Sequence, residues 1–193
     1  MNKILNEINR FIESYRDGST SIYNESSLQH ELAHWIKVHL NEYKVEFERN
    51  VSYYFQNLDN INWTKREIDL VLSTRERKYA IELKNPKNGQ VPEQMYSFIK
   101  DIKFVEQLVD NGFDGGITLV IVDDRNFYSG NTHPLKPSND VYEVFRNNRT
   151  LKGEIQQPTR ARNNIKRIKL RGSYDIKWKS INCVEKYFMT TIL

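Results

Sequence analysis

Three charged residues lie inside two short apolar segments, where a charge is costly to bury unless a partner compensates it. Asp69 belongs to the segment IDLVL at 68–72, and Glu82 and Lys84 belong to the segment IELK at 81–84. Both segments are typical of short buried strands, and alternation along a strand directs Glu82 and Lys84 to the same side. If the two strands are neighbours, Asp69 can meet both residues. Two carboxylates beside one ammonium could bind a hard divalent cation with a lysine next to it.

The order and spacing of these residues resemble the core motif of the PD-(D/E)XK nuclease superfamily, which has the restriction-endonuclease-like fold. In that family an Asp on one strand and a (D/E)-x-K sequence on the next strand hold Mg²⁺ and position an attacking water. The matching residues are Asp69, Glu82 and Lys84, with Ile68 where the motif often has proline. The resemblance implies a Mg²⁺ or Mn²⁺ site formed by Asp69, Glu82 and the backbone carbonyl of Leu83, with Lys84 as a catalytic residue.

The helix predicted before these strands carries a further candidate acid. The sequence SSLQ at 26–29 has the form of a capping box, and an apolar stripe continues to about Leu40. Glu31 lies on or beside that stripe. The nuclease family often has a helical Glu before its first core strand, and Glu31 matches that position, which implies a further catalytic residue and metal ligand. A Glu at the helix boundary, with its carboxylate in solvent, is the alternative interpretation.

The same helix contains the sequence HELAH at 30–34, which matches the H-E-x-x-H zinc motif. His30 and His34 could bind Zn²⁺ with Glu31 as the general base, so a zinc metallopeptidase is an alternative function. The residues after His34 do not continue the extended motif that supplies a third His ligand. Solvated histidines at the flank of an amphipathic helix are the interpretation that we favour.

Hydrophobic periodicity predicts an αβββαβ order for the part of the chain that contains these residues. Strands at 44–55, 68–72 and 81–84 follow the first helix, and a helix from Val91 to about Val109 precedes an apolar strand at 116–123. This is the core order of the nuclease family, and a strand–helix–parallel strand crossover is the usual way to extend such a sheet. We therefore predict an α/β fold with a mixed central sheet flanked by helices.

Gln94 lies one turn into the second predicted helix of this core. Some branches of the nuclease family have a glutamine there that helps to arrange the site, so the resemblance implies a supporting role for Gln94. A surface glutamine near the start of a helix is the alternative.

Residues 125–193 are predicted to form a basic, β-rich extension that packs on a core of residues 1–124, and the two parts together form one compact domain. The core begins with a helix at about 3–15, before the αβββαβ elements. The extension is predicted to contain a loop over 124–139 and a short helix over Val141–Asn147. Strands at 164–170, 174–181 and 185–192, with a turn at Gly172, suggest an antiparallel meander.

Positive charge is concentrated in this C-terminal part. The net charge of the chain is +4, but residues 1–124 contain 15 Lys and Arg against 20 Asp and Glu, whereas residues 125–193 contain 14 against 5. A basic stretch with interleaved aromatic residues is typical of proteins that bind a phosphate backbone, and a solvated strand face is the plainer alternative. The residues predicted to contact nucleic acid are Arg160, Arg162, Lys166, Arg167, Lys169, Arg171, Lys177 and Lys179.

Composition predicts a cytoplasmic protein without a membrane partner. Mean hydropathy is −0.71, and the longest apolar run, at 117–122, is far too short to span a bilayer. Cys183 is the single cysteine, which excludes an intrachain disulfide and fits a reducing compartment. The first residues predict an amphipathic helix rather than a signal peptide.

The function that the resemblance implies, and that the chemistry of these residues permits, is metal-dependent hydrolysis of phosphodiester bonds in nucleic acid, with a Mg²⁺-dependent DNA endonuclease as the preferred form. A module of the same fold that binds nucleic acid without cleaving it is the first alternative, and the zinc metallopeptidase is the second. The sequence does not distinguish DNA from RNA. Cleavage of both strands by one site per chain would favour a homodimer.

Overall fold

The computed structural model describes residues 1–56, 61–87, 89–130, 140–158 and 166–193. Within these ranges the protein is a mixed α/β structure in which helices flank a six-stranded sheet. The helices are α1 (Asn2–Arg16), α2 (Glu25–His39), α3 (Val91–Asp110) and α4 (Val141–Arg146). The strands are β1 (Lys44–Asn50), β2 (Glu67–Ser73), β3 (Lys78–Lys84), β4 (Gly115–Val122), β5 (Thr150–Gln156), β6 (Arg167–Asp175), β7 (Lys179–Ser180) and β8 (Lys186–Ile192).

The six-stranded sheet has the order β1–β2–β3–β4–β8–β7. Strands β3 and β4 are parallel, and the other neighbouring pairs are antiparallel. Helix α3 connects β3 to β4, since parallel neighbours need a crossover connection. The prediction of a mixed sheet flanked by helices is confirmed, and the elements from α2 to β4 follow the predicted αβββαβ order.

The two faces of the sheet pack against different helices. Ile81 and Leu83 of β3 belong to the core that β2, β3 and β4 form with α1 and α2. Ala80 of β3 packs on the other face, where Phe104 of α3 lies. Because side chains alternate along a strand, Glu82 is directed to the α3 face. The charged residues of β3 therefore lie between the sheet and α3.

Helix α2 begins slightly earlier than its sequence predicts. Its N-cap is Asn24, whose side-chain oxygen accepts the Ser27 N–H at 2.8 Å, while Ser27 Oγ accepts the Asn24 N–H at 3.0 Å. This reciprocal pair is a capping box built on Asn24 rather than on the predicted Ser26. The shift places Glu25 in the first turn, where it points to the end of β3.

Strand β1 is shorter than predicted and ends at Asn50 instead of Phe55. The Asn50 side chain accepts the Ser52 N–H at 3.0 Å and caps a 3-10 turn at Val51–Tyr53. The Val51 N–H then donates to the Arg66 carbonyl at 2.8 Å. These bonds give the backbone an alternative to the β ladder, so the alternating apolar residues at 51–55 do not extend the strand.

The C-terminal strands differ from the predicted meander. Strand β6 continues through the turn predicted at Gly172, because this glycine leaves room for the Tyr174 side chain: a Cβ there would lie 2.5 Å from the Tyr174 hydroxyl oxygen. The partner of β6 is β5, a strand that was not predicted. The strand predicted over 174–181 is reduced to β7, and β8 joins the main sheet beside β4.

Other predictions for this region are confirmed where the structure describes it. Helix α4 covers most of the predicted Val141–Asn147, and β8 matches the strand predicted at 185–192. The predicted loop after Asp124 contains a 3-10 turn at Arg125–Phe127. Residues 131–139 of that loop lie outside the described ranges.

Candidate active site

Asp69 and Glu82 meet where the backbone pairing of β2 and β3 ends. The last paired residues in this direction are Leu70 and Ile81. Beyond them, Asp69 Oδ2 accepts the Leu83 N–H at 2.8 Å, and Glu82 Oε1 accepts the Asp69 N–H at 3.3 Å. Each carboxylate thus accepts a hydrogen bond from a backbone N–H that lies beyond the paired residues of β2 and β3. The predicted convergence of these two acids is present.

The Lys84 ammonium lies at the end of β3 and joins the same cluster through Asp101 and Glu25. Its Nζ is 2.9 Å from Glu25 Oε1, 3.0 Å from the Leu83 carbonyl oxygen and 3.6 Å from Asp101 Oδ2. Burial by itself would lower the Lys84 pKa, but attraction by Asp101 and Glu25 raises it. Lys84 is therefore a charged group at neutral pH. The Leu83 carbonyl, a predicted metal ligand, faces this ammonium.

Lys65 places a second ammonium within this cluster, which the sequence did not predict. Its Nζ contacts Glu82 Oε2, and it lies 3.0 Å from Asp101 Oδ1 and 3.7 Å from Asp69 Oδ1. The Lys65 Nζ also lies 5.7 Å from the centre of the Phe104 ring. Lys65 precedes β2 in an irregular segment, so no periodic pattern indicated where its side chain would lie.

Asp101 is the third carboxylate of the cluster, and its sequence position carried a signal. It is a buried residue in the middle of α3, three residues after Phe98 and four before Val105, both of which face the core. A charged residue so close to the apolar stripe needs a compensating partner. Asp101 Oδ2 accepts no hydrogen bond from the described residues and lies 3.6 Å from the Lys84 Nζ.

Burial and mutual repulsion raise the pKa values of Glu82 and Asp101. The pKa of Glu82 is raised well above its usual range, first by burial and then by the negative charge of Asp69. Burial is also the main reason that the pKa of Asp101 is raised. Burial would lower the pKa of Lys65, but the charges of Glu82, Asp101 and Asp69 outweigh it and raise that pKa. Burial therefore favours the protonated form of these two carboxyl groups, and the neighbouring lysines oppose it.

This donor set suits a hard divalent cation. Carboxylate and carbonyl oxygens are the protein ligands that Mg²⁺ and Mn²⁺ prefer. The buried Asp101 Oδ2, which accepts no hydrogen bond from the described residues, would offer such a cation one more oxygen. Among the described residues, however, no three His, Cys, Asp or Glu side chains stand at the spacing of a formed metal site. The three carboxylates are arranged around Lys65 instead.

Helix α2 contributes Glu25 to the cluster, whereas Glu31 lies elsewhere. Glu31 Oε1 is 3.2 Å from His30 Nδ1, and the Glu31 side chain is 37% exposed. Glu25 Oε1 binds Lys84, and Glu25 Oε2 accepts the Asn85 N–H at 3.2 Å. The reason is geometric, since the first turn of α2 and not its middle faces the end of β3. Among the described residues, Glu31 makes no contact with the Asp69 and Glu82 carboxylates.

Two glutamines near the site differ in their contacts. Gln29 Nε2 of α2 donates to the Asp69 carbonyl oxygen at 2.7 Å and so fixes the backbone that carries this acid. Gln94, the predicted supporting residue, is half-buried in the first turn of α3. The side-chain hydrogen bonds found in the described ranges do not connect Gln94 with Asp69, Glu82 or Lys84. Gln29 is thus the glutamine that supports the acids directly.

The histidines of the H-E-x-x-H sequence are both exposed on α2. The His30 side chain is 75% exposed and contacts Glu31, its neighbour in the sequence. Over the described ranges no further His, Cys, Asp or Glu joins His30 and His34 in a three-ligand group. This arrangement agrees with the interpretation of solvated helix-flank histidines.

A basic groove of about 460 Å³ lies between α3 and β6. Its lining residues are Asn62, Thr64, Lys103, Gln107, Arg167, Ile168, Lys169, Leu170 and Arg171. The Gln107 side chain accepts the Thr64 N–H at 2.9 Å and donates to the Asn62 carbonyl at 2.8 Å, which holds one wall in place. Thr64 of this wall immediately precedes Lys65 in the chain.

The structure places only some of the residues predicted to contact nucleic acid in the basic groove. Arg167, Lys169 and Arg171 line the basic groove, whereas Lys177 and Lys179 do not. Arg167 pairs with Glu154 at 3.1 Å, and Arg171 pairs with Asp110 at 3.3 Å. Lys166 is exposed just before β6. The remaining two predicted residues, Arg160 and Arg162, lie outside the described ranges.

The basic groove is fastened to α3 by a buried carboxylate. Glu106 accepts the Arg171 and Gly172 N–H groups at 2.8 and 2.7 Å, the Tyr174 hydroxyl at 2.9 Å and the Lys103 ammonium at 3.1 Å. Burial opposes ionisation of Glu106, but these donors outweigh it and lower the Glu106 pKa. The carboxylate therefore connects β6 with the helix that carries Asp101.

In the described ranges no helix combines the length and the apolar character that crossing a membrane requires. No protein-family model, curated protein or solved structure matches this chain.

Proposed function

We propose that this protein is a metal-dependent nuclease that hydrolyses phosphodiester bonds, with DNA as its substrate. The observation that carries the proposal is the meeting of Asp69 and Glu82 at the end of the β2–β3 pairing, with the Lys84 ammonium in the same cluster through its contact with Asp101. The same three residues carry the resemblance to the PD-(D/E)XK nucleases. The α-β-β-β-α-β order supports the proposal, because it brings these residues to one end of the sheet.

The chain would hold Mg²⁺ or Mn²⁺ through Asp69, Glu82 and the Leu83 carbonyl. A divalent ion at such a site polarises a phosphate and lowers the pKa of bound water. Asp69 and Glu82 are held in orientation by backbone N–H groups, so the two acids need not move to present their other oxygens, although these now face Lys65. Lys84 remains protonated in the same cluster and stabilises the negative charge that develops on the phosphate, or orients the attacking water.

The basic groove gives the phosphate backbone a path to the cluster. Lys103, Arg167, Lys169 and Arg171 line it, and its Thr64 wall adjoins Lys65. Cationic side chains along a groove attract nucleic acid through release of its counterions, without reading sequence. The net charge of residues 125–193 has the sign that such binding requires.

Cleavage assays with matched variants test this proposal. Supercoiled plasmid, linear duplex, single-stranded DNA and RNA would each be incubated with the protein in Mg²⁺, Mn²⁺ or EDTA. We expect cleavage that needs the divalent ion and is lost in Asp69→Asn, Glu82→Gln and Lys84→Met. Glu31→Gln is the control, because this acid of α2 lies outside the cluster. Cleavage that persists in the first three variants would refute the assignment of the site.

A nucleic-acid-binding module without cleavage is the second candidate. The specific observation in its favour is Lys65, which already provides the three carboxylates with a cation. This candidate predicts salt-dependent binding of duplex DNA that is indifferent to Mg²⁺ and to Asp69→Asn.

A nuclease with one site per chain would need two copies of the chain to cleave both strands together. Sedimentation of the protein with and without duplex would show whether it forms such a dimer.

A further inference from the structure

Lys65 occupies the centre of the carboxylate cluster. Its Nζ is shared by Glu82 Oε2, Asp101 Oδ1 at 3.0 Å and Asp69 Oδ1 at 3.7 Å. These three acids come from β3, α3 and β2, so Lys65 is the group that connects the three elements electrostatically. The Lys65 side chain is 24% exposed, which leaves its ammonium a route to solvent.

The position of Lys65 is incompatible with a divalent ion bound to the same oxygens. Mg²⁺ binds carboxylate oxygens at roughly 2.0–2.1 Å, so it would lie among the atoms that Nζ now contacts. An ammonium and a divalent cation so close together would repel each other strongly in a buried site. Lysine has a flexible stem that can carry its charge outward without moving the backbone.

Asp101 shows that the cluster can accept more positive charge than Lys65 supplies. Its side chain is 4% exposed, and its Oδ2 accepts no hydrogen bond from the described residues. This oxygen lies 3.6 Å from the Lys84 Nζ. The buried oxygen without a donor is an independent sign that a ligand of positive charge belongs at this point.

We propose that Lys65 is an internal counter-ion that holds Asp69, Glu82 and Asp101 together in the metal-free protein and moves to solvent when a divalent ion binds. Asp101 then becomes a third carboxylate of the metal site, supplied by α3. The inference rests on the proposed function for the identity of the ion, Mg²⁺ or Mn²⁺. It concerns binding and not cleavage, so it can be tested without nucleic acid.

Chemical labelling of lysines in the wild-type protein gives the first test. The rate of modification of each lysine by an amine-reactive reagent would be followed by mass spectrometry, with and without Mn²⁺. We expect Mn²⁺ to increase the labelling rate of Lys65 severalfold. Lys103 is the matched control, because its side chain is also 24% exposed and is also paired with a buried carboxylate. An unchanged or reduced labelling rate of Lys65 would overturn the proposal.

Calorimetric titration of Mn²⁺ into Lys65→Gln gives the second test. Removing the competing ammonium should tighten Mn²⁺ binding about tenfold relative to wild type, which corresponds to ~1.4 kcal/mol. Lys103→Gln should bind Mn²⁺ as wild type does, and Asp101→Asn should bind it more weakly. Weaker or equal binding by Lys65→Gln would overturn the proposal, and the wild-type labelling result decides if this variant does not fold.

The two proposals can fail separately. A protein that releases Lys65 on binding Mn²⁺ but cleaves none of the nucleic acids supports the counter-ion role and contradicts the nuclease. A protein that cleaves with Mn²⁺ while Lys65 keeps its metal-free labelling rate supports the nuclease and overturns the counter-ion role.

Discussion

The Leu83 N–H donates to Asp69 Oδ2 at 2.8 Å, so the first acid of the motif is held by the backbone of the strand that carries the second acid. The bond replaces the ladder pairing that stops at Leu70 and Ile81. It leaves Asp69 Oδ1 directed toward Lys65, at 3.7 Å. Glu82 Oε1 in turn accepts the Asp69 N–H of β2 at 3.3 Å, so the main chains of β2 and β3 orient the two acids, and side chains from elsewhere balance their charge.

Substitution of Glu25 and of Glu31 tests which acidic residue of α2 contributes to the candidate active site. We expect Glu25→Gln to lower kcat about 10- to 100-fold, because Lys84 loses the carboxylate that positions its ammonium. KM and the melting temperature should change little, since Glu25 is half-buried and touches no substrate. Glu31→Gln should leave both kinetic constants unchanged. Steady-state cleavage kinetics in Mg²⁺ would decide, and an equal loss in the two variants would contradict the roles that we assign.

The ionised Glu82 carboxylate should lower the free energy of unfolding of the metal-free protein. Its pKa is raised by folding, so the folded state binds a proton more tightly than the unfolded state and stability falls as pH rises above the unfolded carboxyl pKa of about 4.3. Glu82→Gln removes this cost. We expect the variant to melt at a higher temperature than wild type at pH 8 in EDTA.

The difference between Glu82→Gln and wild type should shrink as pH falls toward and below about 4.3, because the wild-type carboxyl then becomes protonated in the unfolded state as well as in the folded state. Glu154→Gln is the control, because Glu154 forms an exposed ion pair with Arg167. Thermal denaturation followed by circular dichroism across pH 4–8 measures the effect. A lower melting temperature for Glu82→Gln at pH 8 would mean that its attraction to Lys65 outweighs burial.

The parts of the fold that the sequence predicted are those with local patterns. The apolar runs of β2, β3 and β4 are nearly continuous, as burial on both faces of a sheet requires, and the apolar stripe of α3 repeats with the helical period of 3.6 residues. Strand β5 has no comparable pattern, because only Leu151 and Ile155 are buried and Gly153 has a φ of 72°. The turn expected at Gly172 does not form. The absence of a side chain at this glycine instead allows the Tyr174 ring to pack against β6.

The candidate site was predicted only in part for a related reason. Asp69, Glu82 and Lys84 could be connected by strand alternation and the short hairpin between them. Lys65, Asp101 and Glu25 come from an irregular segment and two helices, and their meeting depends on how those elements pack. Asp101 carried the single available signal, a charge beside an apolar stripe.

Glu106 should stabilise the attachment of β6 to α3. Glu106→Gln weakens several hydrogen bonds to a buried anion, and we expect a loss of about 2–3 kcal/mol in the free energy of unfolding. For a chain of this size that loss lowers the melting temperature by roughly 4–12 °C. Glu67→Gln, an exposed change on β2, should have little effect.

The contribution of Glu106 should depend on pH in the opposite sense to that of Glu82. The pKa of Glu106 is lowered by folding, so its stabilisation is complete above the unfolded carboxyl pKa and is lost as pH falls through the folded value. The gap between wild type and Glu106→Gln should therefore be largest near neutral pH and narrow in acid. Urea denaturation at pH 7 and pH 3.5 measures it, and a gap that widens in acid would contradict this role.

The basic groove, and not the whole basic stretch, should bind the phosphate backbone. Arg167 and Lys169 line the groove, whereas Lys177 pairs with Asp175 at 3.6 Å and Lys179 lies on β7. Neutralising Arg167 and Lys169 to Gln should weaken duplex binding and reduce the slope of log K against log salt by about 2, since each phosphate contact contributes about 0.9.

The double variant Lys177→Gln and Lys179→Gln removes the same charge from outside the groove and is the matched control. Fluorescence anisotropy of a labelled duplex, in EDTA to prevent cleavage, gives both affinity and salt slope. We expect the control to keep the wild-type slope. If both pairs lower the slope equally, the wider basic stretch predicted from the sequence binds nucleic acid, because contacts at Lys177 and Lys179 then release as many counterions as contacts in the groove.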